Sequence, residues 1–429
     1  MKKYGLSALA AAGLLAGGMA TGASAADLGG NCCADLEERI AELEATTARK
    51  GNRKVSLTIT GWVSSQIYWF DDGAASNVYV VDNNNDLSSN VKFTGSAQIM
   101  PGWKAGYSLW IYTNGPSSLL ANEASISNKG WGLQVENSYW FIQSDQLGKL
   151  SVGKQSLGAD NAALGTDFSG TLFPANSVTF DGGNLRVIDS ATGLPTGARW
   201  LNVAFWCEHA GVGIANDCAG GRLNGVRYDT PTIAGFTLSA SWGEDDYWDV
   251  AARYSGEFSG FKVSAAAAYS ESTDPNILGL SGNDNDNQYL QFGGMVKHLA
   301  SGLWVHGTYG KNFVDDGPSH GKPFHDEITG WYLKAGLSQK YFALGQTHIY
   351  GEYGMNEDAF RFGSTINAVL VRDSEATRWG VGVVQEIDAA AMSLWAKWRH
   401  HDLDATLNNG ASFSAESVDM FLAGAVIFY

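Results

Sequence analysis

The sequence predicts an all-β fold: a sixteen-stranded antiparallel transmembrane β-barrel with one long loop folded inward and a short N-terminal helix. Three observations lead to this prediction. Apolar and polar residues alternate over long runs, short and long connectors join these runs in turn, and the chain ends on an apolar strand with the aromatic pair Phe428 and Tyr429. An unpaired terminal strand invites aggregation, so pairing of the last strand with the first is the arrangement that removes both edges.

The last strand, Val418 to Tyr429, has no charge after Asp419. Apolar residues occupy both of its faces, which is typical of a strand that touches lipid or a neighbouring subunit. The pattern leaves open on which face Tyr429 lies.

The chain divides into three parts. Residues 1–25 read as a secretory signal peptide, with Lys2 and Lys3, a short apolar run and a small-residue cleavage site. Residues 26–53 form a periplasmic helical segment, in which Cys32 to Lys50 has leucine and isoleucine at helical spacing. This helix either packs on its own protein or self-associates, and the adjacent Cys32 and Cys33 are left without an assigned partner. Residues 54–429 form the barrel.

The first barrel strand shows the pattern most clearly. From Val55 to Trp69 apolar residues alternate with Ser, Thr and Gln over about fifteen residues. Strands of soluble sandwiches are usually nearer five or six residues. A strand of this length, apolar on one face and polar on the other, is typical of a barrel with lipid outside and water inside.

The connectors fix the strand number. Seven short turns are predicted, at 101–102, 145–148, 231–235, 256–260, 299–302, 339–345 and 387–392, and longer polar segments at 82–90, 271–287 and 311–327. Seventeen alternating runs occur, but both chain ends lie on the periplasmic side, so the number of strands is even. We assign the run 198–206 to the connection from 156 to 222. A barrel of sixteen strands is too wide for side chains to fill, so this loop is predicted to fold inward and narrow the lumen.

Composition excludes several functions. The formal charge is -16, and removal of Lys2 and Lys3 with the signal peptide changes it to -18. So acidic a chain is a poor ligand for nucleic acid. The Asn/Asp runs 82–86 and 283–286 lack the glycine and distal glutamate of a calcium loop, the eight His are scattered, and neither HExxH nor GxSxG occurs. We therefore predict no catalytic site, no metal site and no cofactor.

Several stretches resemble the general porins, and most closely those of alphaproteobacteria of the Rhizobiales type. They are Leu36 to Val63, the hairpin Ser138 to Ser156, the hairpin Asn224 to Glu244 and the aromatic C-terminus. The resemblance implies a homotrimer of sixteen-stranded barrels in the bacterial outer membrane, in contact with its lipid. Each barrel would be a water-filled channel for passive diffusion of small hydrophilic solutes and ions. This chain departs from the family at Gly153-Lys154, where Gly-Arg is usual, and thereby loses bidentate geometry.

The lumen-facing phase of the strands is rich in basic residues. Three acids share it: Glu136, Asp249 and Glu352. The bases are Lys92, Lys104, Arg227, Arg253, Lys262, Lys297, Lys334, Arg378, Lys397 and Arg399.

The long loop brings acids to this basic wall. They are Asp160, Asp167, Asp181 and Asp189, which we predict to face the wall across the constriction and so orient passing solutes. The family places its basic cluster on early strands, which implies Lys92, Lys104, Lys154 and Arg227. Lys154 is out of phase with the lumen, so its role requires a bulge. The alternative is that all of these are ordinary solvated surface charges.

Two expectations concern the loop and the pore mouths. Cys207 and Cys218 lie eleven residues apart in an oxidising compartment, which predicts a disulfide. The excess acid predicts weak cation preference that fades as salt rises. The alternatives to a diffusion channel are an outer-membrane barrel enzyme of lipase or protease type and a secreted carbohydrate-binding β protein.

Overall fold

The computed structural model describes residues 54–83, 87–126, 132–207, 217–218, 222–244, 246–272, 287–314, 327–361 and 363–429. The predicted signal peptide and N-terminal helix, with Cys32 and Cys33, lie outside this part of the chain. The helices within it are the 3-10 turns Leu164–Thr166 and Asp388–Ala390 and the α-helix Trp200–Val203. None of the helices in the described ranges is long and apolar enough to cross a membrane.

Sixteen long strands form the barrel within the described residues. They are β1 (Thr58–Asp71), β2 (Asn90–Met100), β3 (Trp103–Asn114), β4 (Gly132–Ser144), β5 (Gly148–Ser156), β6 (Arg222–Asp229), β7 (Phe236–Gly243), β8 (Trp248–Phe258), β9 (Phe261–Ser272), β10 (Asn287–His298), β11 (Leu303–Val314), β12 (Glu327–Phe342), β13 (Gly345–Glu357), β14 (Val369–Ile387), β15 (Met392–Leu407) and β16 (Val418–Phe428). Three short strands, Ser76–Val81, Thr365–Ile366 and Ser412–Ser414, extend the same sheet.

The sheet closes on itself. Each strand pairs antiparallel with the next, and β16 pairs with β1 in register from Trp62 opposite Phe428 to Asp71 opposite Asp419. The chain continues this seam to its end, since Tyr429 and Gly61 exchange two backbone hydrogen bonds of 3.0 and 3.1 Å. The sixteen-stranded antiparallel barrel is therefore confirmed.

The two faces of the wall differ as the alternation predicts. On β1 the side chains of Val63 and Ile67 are exposed, whereas those of Ser64 and Gln66 between them are buried. Phe421 and Ile427 point outward on β16, and Tyr429, which shares their phase, is 55% exposed. Tyr429 therefore lies on the outer face.

The seven short turns join strands at one end of the barrel, as predicted. Their geometry explains their glycines at two positions. Gly235 and Gly302 have φ of 88° and 74°, and a Cβ at Gly302 would overlap the backbone carbonyl oxygen of Ser338.

The predicted connector at 82–90 is wrong in position, because it interrupts a strand instead of joining two. Ser76–Val81 pairs with the upper half of β1, and β2 pairs with its lower half, from Thr58 to Trp62. The end turn thus lies at 72–75, and the chain leaves the wall between Val81 and Asn90. The polar composition of this segment resembles that of an end loop, which is why the pattern misplaced it.

After Val81 the chain turns toward the inside of the barrel, where the Asn83 amide donates a 2.5 Å hydrogen bond to the carbonyl of Phe173 in the long loop. At the gap that it leaves in the ladder, the Ser89 hydroxyl accepts from the Ser64 N–H at 3.0 Å and donates to the Ser64 carbonyl at 3.2 Å. One side chain thus replaces the missing backbone partner.

The long loop connects β5 to β6 and packs against the inner face of the barrel. It contains an antiparallel hairpin, Arg186–Asp189 with Leu194–Arg199, followed by the helix Trp200–Val203. The run 198–206 accordingly belongs to this loop, as assigned from the sequence. Buried loop residues form one apolar cluster with inward-facing wall residues of β1 and β14 to β16; its large members include Phe180, Leu185, Trp200, Phe205, Tyr68, Phe70 and Leu422.

Candidate functional site

Inward-facing side chains form rows across the strands, because residues opposite each other in register share a face. One row runs from His306 through Lys334 and Glu352 to Gly380 and Arg399. Gly380 separates Glu352 from Arg399, and a Cβ there would lie 3.1 Å from a Glu352 carboxylate oxygen. The missing side chain lets the guanidinium reach across a strand, with Nε 2.8 Å from Oε1 and Nη2 3.0 Å from Oε2.

Asp181 of the loop joins this row. Its Oδ2 lies 2.6 Å from both Lys397 Nζ and Arg399 Nη1, and its Oδ1 accepts a hydrogen bond of 2.6 Å from the Ser118 hydroxyl. Burial by itself raises the pKa of Asp181, but the charges of Lys397 and Arg399 outweigh it, so the pKa lies below its usual value. The carboxylate is therefore held charged.

Arg378 binds the same part of the loop and forms no ion pair with an acid of the described ranges. Its two terminal nitrogens donate to the carbonyls of Thr179 and Ser177 at 3.0 and 2.8 Å. The guanidinium also stacks on Phe180, 4.5 Å from the ring centroid. Loop backbone, not loop charge, thus satisfies this arginine.

Asp167 forms the second ion pair between loop and wall. Its Oδ2 is 2.7 Å from Lys334 Nζ, and both side chains are fully buried. Burial raises the pKa of Asp167, whereas Lys334 and His306 lower it, with a net pKa of about 2. Lys334 also donates a 2.5 Å hydrogen bond to the carbonyl of Ala175.

Asp160 lies where the loop leaves β5. It pairs with Arg222 at 2.5 Å and accepts from the Ser156 hydroxyl. Burial raises the pKa of Asp160, and the charge of Arg222 and the Ser156 hydrogen bond offset that rise only in part. Arg222 also pairs with Glu136 at 3.2 Å.

Asp189 is not brought to the basic wall. It lies in the loop hairpin, where its carboxylate accepts from the Ala191 N–H at 2.9 Å and from the Asn367 amide at 3.3 Å. The hairpin pairs with Ala415, next to the barrel end opposite the seven short turns. Asp189 therefore stabilises the turn of the loop hairpin and does not line the constriction, contrary to the prediction.

Lys154 is on the outer face, and its predicted place in the pore wall is wrong. The registers of β5 with β4 and β6 run without a shift from Gly148 to Ser156. Without a bulge, Lys154 keeps the phase of Leu150, which is exposed, and its Nζ donates to the Val135 carbonyl at 2.9 Å.

Arg227 faces inward but serves the loop. Its guanidinium contacts Asp229 at 2.8 Å and donates to the carbonyls of Ser156 and Leu157 at 3.0 and 3.1 Å. These bonds fix the start of the long loop on β6. Arg253 acts similarly, with a 2.5 Å hydrogen bond to the carbonyl of Gly158.

A second group of inward-facing bases has no acid partner within the described residues. These side chains are half-buried, lie on the wall from β2 to β10 and form no ion pair there. They are Lys92, Lys104, Lys149, Arg253, Lys262 and Lys297. We call this set the free basic wall.

Sequence reasoning missed Lys149. It has the lumen phase of β5, one residue before the exposed Leu150, so the alternation identifies it. Its Nζ lies 4.7 Å from the ring centroid of Phe141 and 5.4 Å from that of Tyr139. Lys92 and Lys262 likewise lie over aromatic rings, those of Trp110 and Phe168.

Cys207 and Cys218 form a disulfide in the structure, with Cα atoms 5.7 Å apart. Both are fully buried and belong to a cluster with Ala159, Ala251 and Tyr289. The disulfide thus links two residues of the loop and packs against the wall of β8 to β10. In the described part of the chain, no group of three or more His, Cys, Asp or Glu is arranged to hold a metal ion.

Known proteins match this architecture. A family model described as Gram-negative porin matches residues 6–406. Among curated proteins, none matches the chain significantly.

Solved structures share the fold. An anion-selective porin from Comamonas acidovorans aligns with TM-score 0.57 and 14% identity over 87% of this chain and 100% of that one. The trimer form of the Vibrio cholerae outer membrane protein OmpT aligns with TM-score 0.52 and 15% identity over 87% and 99%. Salmonella typhi OmpF in complex with daunomycin aligns with TM-score 0.50 and 13% identity over 89% and 99%.

These structural likenesses, at such low identity, show the fold. The family model covers most of the sequence, and the barrel has the closed, outward-apolar wall that an outer membrane requires. The chain therefore belongs to the Gram-negative porin family, and it forms an outer-membrane channel for the passive diffusion of small hydrophilic solutes and ions.

Proposed function

We propose that this porin acts without catalysis and prefers anions among the small hydrophilic solutes that it admits. One observation carries the proposal: the free basic wall has six cationic side chains without an acid partner in the described residues, whereas three of the four loop acids predicted for the constriction are in ion pairs with other bases. An uncompensated positive wall raises the local concentration of anions.

This proposal reverses the expectation of weak cation preference. That expectation had the loop acids and the basic wall oppose each other inside the constriction, so that the acidic pore mouths decided the preference. Asp160, Asp167 and Asp181 lie within 2.7 Å of basic nitrogens, which offset their charge. The field of the mouths falls off within a Debye length of about 10 Å at 0.1 M salt, so the narrow part of the pore is governed by its own wall.

We also propose that the chain assembles as a homotrimer in outer-membrane lipid, as in porins of alphaproteobacteria. Two observations support this assembly. The Vibrio cholerae OmpT structure with the same fold is described as a trimer form. The outer face of β1 and its neighbours is lined by exposed apolar side chains, such as Val63, Val78 and Val80, which either lipid or a neighbouring subunit would cover.

The test of ion preference is the reversal potential across a KCl gradient, measured in planar bilayers. We expect the wild type to prefer chloride. Replacing Lys104 and Lys149 by Gln together should shift the reversal potential toward potassium. Lys340→Gln is the matched control, because Lys340 is 57% exposed beside Asp388 at a barrel rim. A cation-selective wild type, or a double variant that behaves like the control, would overturn the proposal.

A further inference from the structure

The inner faces of β3 to β5 bring together two aromatic rings and two lysines. Phe141 and Tyr139 are neighbours on the inward face of β4, and both are half-buried. A Cβ on Gly106 would lie 2.5 Å from Phe141 Cζ and 2.7 Å from its Cε1, so this ring lies directly over the β3 backbone. We call Phe141, Tyr139, Gln143, Lys104 and Lys149 the aromatic shelf.

The lysines of the shelf lie on either side of Gln143, in the row next to Phe141. Lys104 is opposite Gln143 in register, and Gln143 is opposite Lys149. Each cross-strand step is about 5 Å, so the two lysine stems stand roughly 10 Å apart with a neutral amide between them. The Lys149 ammonium is 4.7 Å from the Phe141 ring centroid.

The charge of the shelf is not neutralised by its surroundings. Asp229 is opposite Lys149 in register, but it binds Arg227 at 2.8 Å and accepts a 2.6 Å hydrogen bond from the Ser239 hydroxyl. Glu136, also on β4, pairs with Arg222 at 3.2 Å. Neither Lys104 nor Lys149 has an ion-pair partner among the described residues.

We propose that the aromatic shelf is a binding site for small aromatic carboxylates on their way through the channel. The carboxylate of the solute lies between Lys104 and Lys149 and accepts a hydrogen bond from the Gln143 amide. The ring of the solute packs on Phe141 and Tyr139. Flat apolar surface beside a few fixed polar groups is the composition of a small-molecule site. Aromatic pairs add to apolar burial, which favours an aromatic anion over an aliphatic one of equal charge.

The inference rests on the proposed anion preference and narrows it to a class of solute. The test uses benzoate as the probe and cyclohexanecarboxylate as the non-aromatic anion of similar size. Each is added to protein in a planar bilayer in symmetrical KCl, and the fall in chloride conductance is measured. We expect benzoate to reduce the conductance at several-fold lower concentration.

Variants locate the site. Phe141→Leu keeps apolar bulk but removes the ring, and it should raise the half-inhibitory benzoate concentration roughly fivefold. Phe168→Leu is the matched control, because Phe168 is also half-buried with a lysine over its ring, that of Lys262 at 4.8 Å. The control should leave benzoate inhibition unchanged. If Phe141→Leu fails to form channels of normal conductance, Tyr139→Leu is scored in its place.

The outcomes separate the two proposals. Equal inhibition by both carboxylates, or equal effects of Phe141→Leu and Phe168→Leu, would overturn the aromatic shelf even if the wild type prefers chloride. A cation-selective reversal potential in KCl alone would overturn the proposed ion preference, whatever benzoate does.

Discussion

Asp167 and Lys334 show how single residues hold the loop to the wall. Both side chains are fully buried, at an Oδ2 to Nζ distance of 2.7 Å. Asp167→Asn removes one charge and leaves the other buried without its partner, which costs about 3–5 kcal/mol in comparable cases. We expect a loss of that size in the unfolding free energy of the detergent-solubilised protein, measured by urea titration.

Asp388→Asn is the control for this change. Asp388 pairs with Lys340 at 3.8 Å, and the two side chains are 54% and 57% exposed. An exposed pair contributes about 0–1 kcal/mol, so this variant should unfold nearly as the wild type does. Equal destabilisation by both variants would show that the Asp167 pair does not hold the loop.

The same pair predicts a pH dependence. The pKa of Asp167 is lowered to about 2 from its ordinary 3.8, so its stabilisation is present above pH 3.8 and is lost as the pH falls through about 2. The difference in melting temperature between wild type and Asp167→Asn should be constant from pH 7 to pH 4 and should shrink toward zero near pH 2. A difference that already vanishes near pH 5 would contradict this assignment.

For single residues, the sequence predicted which side of the wall a side chain faces better than it predicted which residues form ion pairs. Alternation placed Lys334, Lys397 and Arg399 inside the barrel, where the structure has them. It could not show that Asp181 joins two of them, because the loop has no period from which its path could be read. The resemblance at Gly153-Lys154 implied that Lys154 faces the pore. Because the strand has no bulge there, Lys154 lies on the outer face of the wall.

At the scale of strands, Ser89 repairs an interrupted ladder. Its hydroxyl exchanges two hydrogen bonds with the backbone of Ser64, at 3.0 and 3.2 Å, where β1 has a strand partner only on its β16 side. Ser89→Ala would leave a half-buried N–H and C=O unsatisfied. We expect a loss of about 1–3 kcal/mol in the unfolding free energy, measured by urea titration in detergent.

Ser56→Ala provides the comparison. The Ser56 hydroxyl makes the same two bonds with the backbone of Ser96, at 3.1 and 3.0 Å, but in an exposed position. Water replaces the lost partner there, so the change should cost less than about 1 kcal/mol. If Ser56→Ala costs as much as Ser89→Ala, the gap in the wall has no special energetic role.

The disulfide belongs to the loop as an element. Mass spectrometry of a non-reduced digest should find a peptide that links Cys207 to Cys218. Because both sulfurs are in the disulfide and both residues are fully buried, thiol reagents should label neither until the protein has been unfolded and reduced. By the chain-entropy model, a loop of eleven residues contributes roughly 2–3 kcal/mol, which Cys207→Ser with Cys218→Ser would remove. Free thiols at both positions in mature protein would contradict the pairing.

For the whole molecule, we expect channels that insert in groups of three. The purified protein in a planar bilayer should give conductance steps that open together as triplets and close singly. Light scattering in detergent should give three times the mass of one chain. Unit steps alone, together with a monomeric mass, would contradict the proposed trimer.

The barrel as a whole was predictable because lipid imposes one rule on every strand. Apolar side chains face outward at every second position, so sixteen strands and their seven short turns follow from the period and from parity. The interior obeys no such rule. The inward turn at Asp82 and Asn83 and the position of Asp189 at the far rim depend on contacts between distant parts of the chain, and no local pattern encodes those contacts.

The ion pairs of the loop also constrain the order of assembly. Asp167 meets Lys334, and Asp181 meets Lys397 and Arg399, so partners are separated by more than 160 residues. Contacts of such long range make folding slow, because the entropy of the intervening chain is lost before the contacts contribute any stabilisation. The loop emerges after β5, but its partners come with β12 and β15. The ion pairs of the loop therefore form only after β12 and β15 have joined the wall. Pairing of β16 with β1 then closes the barrel around the loop.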